Sequence, residues 1–112
     1  MNLEDVFKQA SEIAHEFGLS LVELDRTNNT LSLRLHIDSE LFFHIYANQT
    51  KNKLNLALIF KGERLYGHDA EGGKYHLHSF GESDKHIFTD GAKPMREFVL
   101  ESLKYLDEKS LL

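Results

Sequence analysis

The residues best equipped for chemistry lie between Arg64 and His86, in the stretch RLYGHDAEGGKYHLHSFGESDKH. It holds His68, His76, His78 and His86, four of the seven histidines in a chain of 112 residues. Imidazole accepts and donates protons near neutral pH, so two such groups can divide abstraction and donation of a proton between them. Cleavage of RNA by its own 2′-hydroxyl is one reaction with that requirement. His76 and His78 stand two apart and, in an extended chain, project from one face. A short turn through Gly72-Gly73 brings back the segment that carries Tyr66 and His68, and His86 follows on the next loop. This reading makes His76, His78, His86, His68 and Tyr66 the candidate catalytic groups. Arg34, His44, Asp69 and Lys74 are the candidates for holding a substrate, the cations by offsetting phosphate charge.

The same imidazoles suit zinc, iron or copper, and a metal site here would draw on His76, His78, His68 and His86. HLHSFGE matches the first half of a cupin motif, but the later strands and second histidine motif of a cupin are missing. The acid–base reading requires no cofactor. A third reading makes the histidines half-polar residues of a sheet surface that binds a partner or a second copy of the chain.

The elements that must position these groups are legible from periodicity. Asn2 caps a helix whose apolar stripe is Leu3, Val6, Phe7, Ala10, Ile13, Ala14 and Phe17, with Gly18 as its left-handed terminator. Strands are expected over Leu19 to Arg26 and Thr30 to Ile37, then through Leu41, Phe43, Ile45 and Ala47, and through Leu54, Leu56, Leu58 and Phe60. Two more are expected over Arg64 to Asp69 and Lys74 to Phe80. Gly81 to Gly91 reads as a loop with a short extended piece at His86 to Phe88. Pro94 suits the first turn of a second helix with Met95, Phe98, Val99, Ser102, Leu103 and Leu106 on its buried stripe.

The expected fold is therefore α+β: one domain over residues 1–112, an antiparallel meander of about six strands, with an N-terminal and a C-terminal helix packed on one face. The other face is expected to carry Arg34, His36, Phe42, His44, Tyr46, Ile59, Tyr66, His68, His76 and His78. A simple register puts Arg34, His44, Ala57, His68 and His76 in one row across it.

Composition narrows the classes. Hydrophobic residues make up 41% and charged residues 28%, as in an ordinary globular chain. No apolar run is long enough to span a membrane, and the first ten residues lack the apolar core of a secretory signal, so a cytoplasmic protein is expected. There is no cysteine, which removes disulfides, thiol nucleophiles and thiolate metal ligands. With 18 acidic against 13 basic residues the net charge is -5, which disfavours tight non-specific binding of nucleic acid but leaves room for a local basic pocket.

The stretch also resembles a family of small prokaryotic proteins, the TumE-type toxins of toxin–antitoxin pairs. The likeness rests on a tyrosine and an aspartate before a glycine turn, then H-x-H, Phe-Gly and a later histidine, with LESLKYL in the closing helix. It covers about residues 62 to 107; Ser79 departs from the proline expected after H-x-H. The resemblance implies a toxin-like protein acting on RNA, with His76, His78 and His86 as functional residues and Tyr66 and Asp69 beside them. It also implies a protein antitoxin as partner; a homodimer through the open sheet face is the other assembly expected.

Overall fold

The computed structural model describes residues 1–71, 74–80, 82–88 and 93–112, and for residues 78, 79 and 82–88 the backbone alone. Helix α1 (Leu3–Phe17) is followed by strands β1 (Ser20–Arg26), β2 (Thr30–His36), β3 (Leu41–Asn48), β4 (Lys53–Phe60), β5 (Glu63–Glu71), β6 (Lys74–Ser79) and β7 (Glu82–Phe88), and by helix α2 (Met95–Glu108). The strands form one sheet in sequence order, each antiparallel to the next. The expected α+β meander with two terminal helices is the architecture found. β7 occupies part of the region expected to be a loop. Its sequence ESDKHIF lacks an apolar alternation, as suits a strand with charged residues at the edge of a sheet.

The ends of α1 are written into its sequence. Asn2 Oδ1 accepts from the backbone N–H groups of Glu4 and Asp5, and Gly18 takes the left-handed conformation at φ 68°. Leu3, Val6, Ala10, Ile13 and Ala14 are buried by the resulting stripe. α2 has no comparable anchor: Pro94 offers no side-chain cap and the last turn holds no basic residue. Packing of Met95, Phe98, Val99 and Leu106 must hold it in place.

Both helices close over one side of the sheet. Leu31, Leu33 and Leu35 of β2, Leu41, Phe43, Ile45 and Ala47 of β3 and Leu56 and Leu58 of β4 meet the helix stripes in one core cluster. The residues between them, Ser32, Arg34 and His36, then Phe42, His44 and Tyr46, then Asn55, Ala57 and Ile59, form the opposite face and are half-buried. No helix among the described residues is long and apolar enough to cross a membrane.

β5 departs from this plain alternation. The turn into it is two residues, Lys61 and Gly62, both at positive φ (50° and 80°), which closes the hairpin at the pair Phe60 and Glu63. Uninterrupted, that register would set Tyr66 opposite Ala57 and His68 opposite Asn55, on the open face. Instead the ladder shifts between Ile59↔Arg64 and Leu58↔Tyr66, leaving Leu65 as an extra residue in a bulge. Beyond it Tyr66, His68 and Ala70 pair with Leu58, Leu56 and Leu54 and turn to the core. Gly67, Asp69 and Glu71 turn outward beside Ala57, Asn55 and Lys53.

Candidate functional site

The bulge decides which of the expected site residues share a surface. Asp69 of β5 and His76 of β6 are direct cross-strand partners on the open face. Side chains opposed in this way have Cβ atoms about 5 Å apart, close enough to interact. Arg64 lies on the same face, with Nη1 4.0 Å from Asp69 Oδ2. A carboxylate, a guanidinium and an imidazole are thus gathered at the β5–β6 end of the sheet. Lys74 is exposed at the end of the same hairpin, paired with Glu71.

Tyr66 and His68 do not belong to this group, which corrects the expected row. The residues in register with Arg34, His44 and Ala57 are Gly67 and His78. His68 is 2% exposed and Tyr66 5% exposed, both on the helix side. Their displacement follows from the extra residue at Leu65, because a one-residue slip exchanges the two faces of a strand. The β5–β6 hairpin contributes as well: it closes on Glu71 and Lys74, so His76 faces Asp69 and not His68. The backbone of His78 lies in β6 and that of His86 in β7. The side chains of both, and Gly72, Gly73 and Gly81, fall outside the described residues.

Tyr66 instead anchors α2. Its hydroxyl donates to Glu101 Oε2 at 2.9 Å, and Lys93 Nζ donates to the same oxygen at 2.8 Å. Burial works to raise the Glu101 carboxyl, but the hydrogen bonds from Lys93 and Tyr66 outweigh it and hold the group below the usual carboxylate range. Burial, reinforced by the bond to Glu101, pushes the Tyr66 phenol up. Burial opposes the Lys93 charge, yet its bonds to Glu101 and Tyr66 leave the ammonium above its ordinary value. A phenol held protonated against a helix carboxylate is a structural tie. Tyr66→Phe should cost about 1 kcal/mol in a urea melt, the scale of one partly exposed hydrogen bond, and leave any activity intact. An activity loss with an unchanged melt would return Tyr66 to the site. Glu101 and Lys93 carry no local sequence signal for this role, since the contact joins residues 35 positions apart.

Among the described residues the histidine side chains therefore do not converge. His15 is exposed at the end of α1, and His36 bonds the Asp38 carbonyl oxygen through Nδ1 at 2.9 Å. His44 Nε2 lies 3.0 Å from Ser32 Oγ. Burial, and then the neighbouring Arg34 charge, lowers the pKa of His44, so the ring is neutral at pH 7. Among the described residues no three histidine, aspartate or glutamate side chains are grouped to hold a metal ion. The outward turn of Asp69 was open to a stricter reading: in Tyr66-Gly67-His68-Asp69-Ala70-Glu71 the two acids share one parity and Ala70 the other.

Comparison with family models, with curated proteins and with solved structures finds no match for this chain.

Proposed function

We propose that the protein is a toxin-like component of a prokaryotic toxin–antitoxin pair and acts as a histidine-dependent ribonuclease. The observation that carries this reading is the cross-strand pairing of Asp69 with His76 on the uncovered face. Both belong to the motif that resembles the TumE-type toxins, and they come together although the simple register would have separated them. In this chemistry a 2′-hydroxyl attacks the adjacent phosphorus, losing its proton to a base. The P–O5′ bond breaks, the 5′-oxygen is protonated by an acid, and a 2′,3′-cyclic phosphate is left. His76 serves as one proton-transfer group, oriented by Asp69, while Arg64 offsets phosphate charge. The resemblance assigns the second proton-transfer role to His78 or His86.

Induced expression should arrest growth and shorten cellular RNA, and His76→Ala and Asp69→Asn should each relieve both effects while keeping the wild-type thermal melt. A wild-type protein that is harmless and leaves RNA intact defeats the proposal. The same holds if His76→Ala is as toxic as the parent. In that case a protein-interaction module is the better account, favoured by Phe42, Tyr46 and Ile59 on the uncovered face.

A further inference from the structure

The chain has four arginines, and three of them face carboxylates. Arg26 pairs with Glu4 and Glu23, Arg96 with Glu16, and Arg64 with Asp69. Arg34 has no carboxylate partner among the described residues. Its guanidinium carbon lies 4.4 Å from the centroid of the Phe42 ring, and its Nε is buried without a hydrogen-bond partner. Its cross-strand neighbours on the open face are Val22 and His44, and its neighbours along β2 are Ser32 and His36. None is acidic. Asp25, opposite Ser32 on the same face, is one pair along and forms no ion pair with Arg34, so a half-desolvated guanidinium is left with a buried Nε that no acceptor meets, an unfavourable arrangement. An anionic ligand reverses that balance by supplying the missing charge and acceptor. The environment also suits a nucleotide: the planar guanidinium is held over Phe42, and the ring of Tyr46 lies on the same strand face beyond His44.

We infer that Arg34, with His44 and Phe42, forms a second subsite that holds a phosphodiester of single-stranded RNA. This rests on the ribonuclease reading and extends it by naming how the substrate lies. Arg34 is on β2 and His76 on β6, with β3, β4 and β5 between them. At about 4.8 Å per strand that separation is about 19 Å, so one ligand reaching both must be a chain of several nucleotides crossing the strands. In register with Arg34 and His44 the row continues over Ala57 and Gly67, which carry at most a methyl group, and reaches the backbone of His78, two residues along β6 from His76.

The test measures fluorescence anisotropy of a labelled 12-nucleotide RNA on His76→Ala protein, in which cleavage is disabled. Adding Arg34→Gln should weaken binding by about tenfold or more and make the slope of log K against log salt shallower by about 0.7, the loss of one phosphate contact. Arg34→Lys should recover part of the slope, because the charge stays while the planar fork is lost. Arg96→Gln, on the helix side, should change neither quantity. Inorganic phosphate serves as the second probe. If it displaces the RNA at micromolar concentration, the subsite takes a free anion and the phosphodiester assignment fails. Equal binding by Arg34→Gln, equal losses for Arg34→Gln and Arg96→Gln, or no RNA binding by the His76→Ala protein also overturns the inference. None of these results touches the growth-arrest and cleavage assays of Asp69 and His76, so the two readings fail separately.

Discussion

Inserting one alanine between Leu65 and Tyr66 should prevent the chain from reaching its native fold, whereas Leu65→Ala should fold with a modest loss of stability. The side chain of Leu65 is only partly buried against the core, so truncation removes limited contact. The number of residues matters far more. The bulge takes up one residue between Arg64 and Tyr66. With a second one there, a ladder that keeps a single-residue bulge brings Tyr66 opposite Ala57 and exchanges the faces of β5. Deleting Leu65, by contrast, removes the bulge but leaves Tyr66 opposite Leu58, so the faces are kept. In the insertion protein Asp69 and Glu71 would point into the apolar cluster, while Tyr66, His68 and Ala70 would point to solvent. Two carboxylates buried without partners cost several kcal/mol each, against a total stability of about 5–15 kcal/mol for a domain. The Tyr66–Glu101 tie to α2 would be lost at the same time. The insertion protein should show collapsed amide dispersion in a two-dimensional NMR spectrum and no cooperative thermal transition. A well-dispersed spectrum with a sharp transition would mean that the bulge absorbs a second residue and does not set the faces of β5.

The same bulge explains what the sequence could and could not disclose. Leu31, Leu33 and Leu35, like Leu41, Phe43 and Ile45, alternate with polar residues so strictly that their faces follow from period alone. The stripe of α1 and its caps at Asn2 and Gly18 were equally plain. In RLYGHDAE the adjacent Leu65 and Tyr66 satisfy either parity, and glycine, histidine and alanine are tolerated on either face. Tertiary packing made the choice by placing Tyr66 under α2, a contact that no local window contains. The candidate site inherited that ambiguity. His76 and Asp69 were in the expected set; their pairing follows from the two-residue closure at Glu71 and Lys74, but their place on the open face depended on the bulge at Leu65. Arg34 was recognisable as a cation on the open face; its lack of a carboxylate partner among the described residues depended on where their acidic side chains came to rest.

Phe98→Ala should be the most damaging single substitution in the helix layer, at about 3–5 kcal/mol. Phe98 is 1% exposed and is the point at which α2 meets the sheet. Its ring packs edge-on against Phe43 of β3 at 6.2 Å between centroids and stacks on Tyr66 of β5 at 4.8 Å. Tyr66 in turn stacks on Phe80, and Phe80 on Tyr105 of α2, so the series of rings begins and ends on the same helix. Removing Phe98 leaves a cavity beneath a helix that has no side-chain cap and no basic residue in its last turn. Packing is most of what holds α2, so the loss should fall there first. Amide exchange in Met95–Glu108 should accelerate more than exchange in β2 and β3, and the melting temperature should drop by about 12–20 °C. Leu100→Ala, on the exposed side of the same helix at 46% exposure, should shift stability by no more than about 0.5 kcal/mol. Comparable losses at the two positions would show that the aromatic series does not anchor α2. Destabilisation spread evenly over the sheet and helix would show instead that α2 and the sheet unfold as one unit.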